Sequence, residues 1–250
     1  MENYIKNYNT YDKTVVYNFQ VGDGGIGDCI KFFMFILEDC MKNEKRLYYK
    51  KNNIALEKYI KLKHDMYIDI VPENAEVVNP GMFYSTIHTN FTINVNEVFY
   101  FTDEVIANSK RLFPYDISYV SLHLRLGDKY LETPQNYIGC IHDTRIFSEE
   151  KIDEFIHQTK NHIFFCCDNH AYKMKMKERY ERYEKYEKYN ILITNCNIGH
   201  TSLSNTTDDQ VLDAVTEFYI LTNSTMIYAA SYSGFSIMAA KFNNILTINI

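Results

Sequence analysis

The stretch Tyr119-Val120-Ser121-Leu122-His123-Leu124-Arg125-Leu126-Gly127-Asp128 decides how this chain is read. Its apolar, β-favouring first half predicts a strand over residues 117–123, and Gly127 with Asp128 closes it into a loop. Side chains alternate along a strand, so His123 and Arg125 emerge on the same side of its end. At the C-terminal edge of a strand in an α/β sheet, that side opens onto the ligand crevice. Arg125 presents a planar fork of donors that suits a diphosphate, and His123 offers a second donor. Asp128 is placed to orient Arg125 or to cap the loop. The plain alternative is a surface ion pair at a loop start.

Strands and helices alternate on both sides of this run. Upstream, a β-branched and aromatic run at 14–21 ends in the glycine cluster 22–27 and passes into a helix-spaced segment at 29–41. A strand at 46–49, a helix at 53–62, a strand at 66–71 stopped by Pro72 and a helix at 103–112 follow. Pro114 marks a boundary, which divides the chain into residues 1–115 and 116–250. Downstream, helices are expected at 148–159, 171–188, 208–221 and 233–241. Strands are expected at 163–167, 191–194, 225–229 and 245–248. Ser148 is the N-cap of the first of these helices, with Glu149 and Glu150 suiting its dipole. The pattern is that of an α/β protein with two Rossmann-like domains facing across a cleft. Tyrosines at 180, 183, 186 and 189 recur every third residue, drift around a helix of 3.6 residues per turn, and predict a solvated surface helix.

Two further segments carry chemistry. Gly22-Asp23-Gly24-Gly25-Ile26-Gly27 fits the dinucleotide pattern G-x-G-x-x-G and lies between a strand and a helix. The second strand ends in Tyr49-Lys50-Lys51 where NAD binding calls for an acid. The loop therefore suits NADP, through Lys50 or Lys51, or a tight strand-to-helix turn without a ligand. Near the C-terminus, Ser231-Tyr232-Ser233-Gly234-Phe235-Ser236 opens a helix, and backbone N–H groups with hydroxyls at a helix start form a phosphate site as readily as a simple serine cap.

Bulk properties exclude several functions. With 26 Lys and Arg against 32 Asp and Glu, the net charge of −6 provides no basic field for nucleic acid. Anionic ligands must be held by a few placed cations. The polar N-terminus has no apolar leader and no run reaches the ~20 apolar residues of a membrane span, so a soluble, cytoplasmic protein is expected. The Asn-x-Ser/Thr triplets at Asn90, Asn205 and Asn223 then carry no weight. Cys29, Cys40, Cys140, Cys166, Cys167 and Cys196 lack Cys-x-x-Cys spacing and read as reduced structural thiols. No His/Cys/Asp/Glu set has metal-ligand spacing, so no metal and no cofactor is expected.

In this order and at these separations, the three segments resemble the GDP-fucose-dependent fucosyltransferase superfamily, which includes α-1,2-, α-1,6- and protein O-fucosyltransferases. The resemblance runs from residue 15 to the C-terminus and is carried by motifs. It implies a GT-B architecture, with an acceptor-side domain at 1–115 and a nucleotide-sugar-binding domain at 116–250. Gly24, Gly25 and Gly27 would face the acceptor side. His123, Arg125 and Asp128 match the His-x-Arg-x-x-Asp signature, with Arg125 on the diphosphate of the departing GDP. Ser233, Gly234, Phe235 and Ser236 would hold the β-phosphate, and Asp168 the guanine or ribose. The chain departs from the pattern in three places: Asp28 stands where Asn is usual, as in heptosyltransferases of the same architecture; Leu126 stands where the arginine is often doubled; and 250 residues is short for GT-B, which suits a reduced N-terminal domain.

The expectation is an inverting, metal-independent transfer of a sugar, L-fucose from GDP-fucose, to a glycan hydroxyl. Asp28 and Glu132 are the candidate bases. Three other readings stay open: an NADP-dependent oxidoreductase built on Gly22, Gly24 and Gly27; a non-catalytic nucleotide-sugar-binding module; and, within GT-B, a heptosyltransferase-like transferase.

Overall fold

In the first half a short helix, α1 (Glu2–Asn7), leads into β1 (Lys13–Tyr17), whose Val15, Val16 and Tyr17 are buried. The glycine loop then feeds α2 (Ile26–Lys42), which buries Ile30, Phe33, Leu37 and Cys40 along one face, and β2 (Lys45–Lys50) returns parallel to β1. This is the β-α-β unit expected from the sequence. The coordinates are a computed structural model that describes residues 1–80, 89–132, 143–181, 190–201 and 203–250.

The next segment departs from expectation. The helix predicted at 53–62 is a single turn, α3 (Leu56–Tyr59), followed at once by β3 (Ile60–Leu62). After β4 (Tyr67–Ile68), β5 (Glu76–Val78) and the one-turn α4 (Val95–Val98) comes β6 (Phe99–Phe101), which pairs antiparallel with β3, Ile60 opposite Phe101 and Leu62 opposite Phe99. Those four apolar side chains point inward while Tyr100 faces out, so period-two burial overrides the local helical spacing. Helix α5 (Asp103–Leu112) has the expected bounds.

The second half follows the prediction closely. Strand β7 (Tyr119–Leu124) is followed by α6 (Glu149–Gln158), where Ser148 accepts the Lys151 N–H at 3.2 Å as N-cap. Then come β8 (His162–Cys167), α7 (His170–Glu181), β9 (Ile191–Leu192), α8 (Asp208–Thr222), β10 (Ile227–Ala229), α9 (Gly234–Phe242) and β11 (Thr247–Asn249).

Two parallel sheets result, ordered β4-β2-β1-β5 and β11-β10-β7-β8-β9. In the second, the chain leaves β7 toward β8 and β9, then returns to place β10 on the other side of β7. The order therefore reverses between β7 and β10, and a crevice opens beyond their C-terminal ends. The first sheet has the same reversal between β1 and β5. Thus the glycine loop after β1 and the Arg125 loop after β7 each occupy a switch point.

The sheets share a core. Helices α2 and α5 from the first half pack on α9 and α8 from the second, and one apolar cluster runs from Val15 and Phe33 to Phe218 and Met238. Strand β7 sends Tyr119 into this cluster and Val120, Leu122 and Leu124 into a second one beneath α6 and α7. Lys173 of α7 is fully buried against Glu217 of α8 at 2.6 Å, and Cys166 donates to the same carboxylate at 3.1 Å. The tyrosine-rich helix is not wholly solvated: Tyr180 is buried and hydrogen-bonds Asp153 of α6. Tyr183, Tyr186 and Tyr189 lie outside the described residues. All five described cysteines are buried and free, and Cys140 lies outside the described residues. No helix among the described residues is long and apolar enough to cross a membrane.

Candidate functional site

Arg125 follows β7 directly and its side chain sits in a nest of carboxylates. Its guanidinium pairs with Asp128, with Asp168 at 3.2 Å through Nε, and with Asp143 at 3.5 Å. Burial alone would lower the Arg125 pKa; the charges of Asp168, Asp128 and Asp143 outweigh it and hold the pKa above its ordinary value. The loop is fixed from beneath by Asp168, whose two oxygens accept the N–H groups of Leu126 at 2.8 Å and Gly127 at 3.0 Å. Burial pushes the Asp168 carboxyl up, while Arg125 and those two N–H groups pull it down.

Two neighbouring segments complete the frame. From the end of β10, Ser231 Oγ accepts the Arg125 N–H at 2.9 Å and donates to the Arg125 carbonyl at 2.9 Å, stitching together the two loops at the switch point. From above, Asp143 Oδ2 accepts the Asp128 N–H at 2.9 Å and Arg145 N–H donates to the Leu126 carbonyl at 3.0 Å. The approach is so close that a Cβ on Gly127 would lie 2.1 Å from the Asp143 carbonyl oxygen, and Gly127 also has φ of +112°. Only glycine fits there.

His123 stacks on Phe235 in the first turn of α9, with ring centres 5.4 Å apart. Burial, with a smaller push from Arg125, lowers its pKa to about 3, so the imidazole is neutral in ordinary buffers, and its buried Nδ1 has no hydrogen-bond partner. His123 can thus supply a neutral donor or acceptor but no charge.

The loop also faces the start of α9. Ser233 caps that helix, its Oγ accepting the Phe235 N–H at 3.2 Å. Opposite stands the start of α2: a Cβ on Gly27 would fall 2.5 Å from the Gly234 carbonyl, so the two helix beginnings touch backbone to backbone. Around this junction lies a cleft of about 960 Å³, lined on one side by residues 22–28 and Lys31 and on the other by Arg125, Asp128, Asp143, Arg145 and residues 232–235. Its volume suits a nucleotide-sized ligand.

Most of the residues singled out from sequence meet at this cleft. Gly24, Gly25, Gly27, Asp28, Arg125, Asp128, Ser233, Gly234 and Phe235 line it, while His123 and Ser236 lie just behind, buried. Asp28 leans back over Gly24, accepts the Gly25 N–H at 3.3 Å and pairs with Lys31 at 2.8 Å. Two residues stand elsewhere. Glu132 accepts the Ala171 N–H at 2.8 Å at the start of α7 and is not among the residues lining the cleft. Asp168, expected at the guanine or ribose, spends its oxygens on the Arg125 loop and is likewise outside that lining.

Sequence reasoning missed Asp143, Arg145, Lys31, His200 and Thr201, all of which line the cleft. His200 Nε2 lies 3.8 Å from Asp128, and burial lowers its pKa while Asp128 pulls it up. The one available signal was the polar Gly199-His200-Thr201 run in the loop beyond a strand end, where ligand-contacting residues concentrate.

No protein-family model and no curated protein sequence matches the chain. Solved structures do. The α-1,6-fucosyltransferase NodZ soaked with GDP-fucose superposes with a TM-score of 0.56 at 10% identity over 93% of each chain. Arabidopsis thaliana FUT1, a mutant in complex with GDP, gives 0.59 at 11% identity over 100% of this chain and 74% of that one. POFUT1 in complex with GDP-fucose gives 0.51 at 11% identity over 96% and 98%. The chain has the α/β, GT-B-like fold of these fucosyltransferases.

Proposed function

We propose that this protein is a glycosyltransferase that transfers a sugar, L-fucose from GDP-fucose, to a glycan hydroxyl. The observation that carries the reading is Arg125, held at the switch point of the second sheet and lining the same cleft as the capped start of α9, in a chain with the fucosyltransferase fold. In this reading residues 1–115 form the acceptor side and 116–250 the donor side, and no metal is needed.

The geometry supports the following division of labour. The β-phosphate lies at the start of α9, against the backbone of residues 233–235 and the Ser233 hydroxyl, with the buried Ser236 behind them. Arg125 stabilises the negative charge that develops on GDP as the bond to the sugar carbon breaks. The acceptor oxygen attacks that carbon from the opposite face with inversion, and Asp28 takes its proton. A Cβ on Gly234 would lie 3.8 Å from Asp28 Oδ1, so the carboxylate stands beside the proposed phosphate site. A dinucleotide on the glycine loop is disfavoured by the same residue. Asp28 already accepts the Gly25 N–H and puts a negative charge where a pyrophosphate would sit.

Two measurements test the reading. In a thermal-shift series with GDP, UDP, CMP, ADP and NADP, GDP should stabilise most; stabilisation by NADP and not by GDP would overturn it. Arg125→Ala should lower the transfer rate by about a hundredfold or more. It also leaves Asp128 and Asp168 without their counter-charge, at about 3–5 kcal/mol of stability, so Arg125→Lys belongs beside it. Unchanged GDP binding and transfer in both variants would remove Arg125 from the assignment.

A further inference from the structure

Arg125 is a poor sole anchor for a diphosphate, because its guanidinium is committed to three carboxylates. Its side chain is 19% exposed, against 40% for Arg145, and among the described residues Arg145 forms an ion pair with Asp143 alone, through Oδ1 at 2.8 Å. The carboxylates Asp23, Asp28, Asp128 and Asp143 line the described cleft, so its field does not favour an anion unless a cation can leave its carboxylate and turn toward the ligand. Lys31 faces the other wall, bound to Asp28. Arg145 differs in being exposed at its tip and fixed at its base. Its N–H is bound to the Leu126 carbonyl at 3.0 Å, two residues from it Asp143 accepts the Asp128 N–H, and Gly127 is pressed against the Asp143 backbone. The backbone of Arg145 is therefore carried on the same loop that carries Arg125.

Resting on the donor reading above, we infer that Arg145 is the second cation of the diphosphate site. It exchanges Asp143 for a phosphate oxygen when donor binds, while Arg125 stays seated among Asp128, Asp143 and Asp168. The fork of Arg145 can engage a phosphate through two N–H groups, as a lysine cannot. The ligand recognised is a pyrophosphate group, and the role is one of binding.

Titrations of the full chain with GDP, GMP and inorganic pyrophosphate, with wild type, Arg145→Gln and Arg145→Lys, test this. Wild type should bind GDP and pyrophosphate, and Arg145→Gln should weaken both by about tenfold or more while GMP affinity changes less, with Arg145→Lys in between. Equal GDP and pyrophosphate affinities for wild type and a folded Arg145→Gln would overturn the inference and leave the donor reading standing. An equal loss of GMP and GDP would overturn it too, pointing to a general disturbance of the cleft. Wild type that binds neither GDP nor pyrophosphate would bring down both.

Discussion

Two helices begin at the same point in this molecule, and they begin differently. Helix α2 starts at a glycine cap and carries Asp28 in its first turn, folded back onto the Gly25 N–H. Helix α9 starts at Ser233 and has no acidic residue in its first turn. Both starts carry the positive end of a helix dipole, but at α2 a fixed carboxylate already answers it, whereas at α9 neutral hydroxyls leave it open. Of the two starts, α9 is the one that carries no carboxylate of its own, although Asp28 Oδ1 stands close to it, 3.8 Å from where a Cβ on Gly234 would lie. In the proposed function, the contrast divides a symmetrical-looking junction into a phosphate wall at α9 and a wall at α2 that bears the proton acceptor.

The contrast can be broken most severely at Asp28. Asp28→Asn keeps an oxygen for the Gly25 N–H, so the cap and fold should survive, but the proton acceptor is gone. Steady-state kinetics should show kcat down about a hundredfold or more with donor affinity unchanged or tighter. A kcat near wild type would take Asp28 out of the chemistry. Next comes the contact between the helices. Gly27→Ala inserts a methyl group 2.5 Å from the Gly234 carbonyl and should cost about 1–3 kcal/mol in urea unfolding, with weaker donor binding. Gly25→Ala, which meets Thr201 Oγ1 at an ordinary 3.6 Å, serves as its control. If the two variants unfold alike, the close approach is not what joins the helices.

The smallest effect concerns His123 behind α9. Above its unfolded pKa of 6.5 the imidazole is neutral in both states and contributes no pH dependence. Below it the unfolded chain takes up a proton that the folded one refuses until about pH 3, so stability falls as pH falls through this window. The slope is about 1.4 kcal/mol per pH unit at most. His123→Gln should flatten the decline between about pH 6 and about pH 4 by up to one proton. Urea midpoints across that range measure it, and identical slopes in the two proteins would contradict a buried neutral His123.

What could be read from the sequence followed a physical divide. Long periodic segments such as α2, α5 and α8 were legible because their burial repeats within the segment, and Arg125 was legible because a strand end fixes its direction. The β3–β6 pair was not, because Ile60 and Phe101 stabilise each other from 41 positions apart and neither three-residue strand carries enough pattern alone. Asp143 and Arg145 reach the site by folding back over Gly127, which no local spacing announces. Asp168 was found at the correct strand end but with a different partner. The sequence identified a carboxylate there, and only the fold revealed that it faces the N–H groups of Leu126 and Gly127.

The contact between Gly27 and Gly234 has a kinetic consequence. Walls that meet backbone to backbone and share one apolar cluster cannot part like the halves of a hinge. In the proposed function, donor and nucleotide product would then pass the cleft mouth, where Arg145 and Tyr232 stand exposed. On that reading the slow step of release would belong to side chains letting go of the nucleotide's diphosphate group, and mutations at the rim would change turnover without touching the bond that breaks.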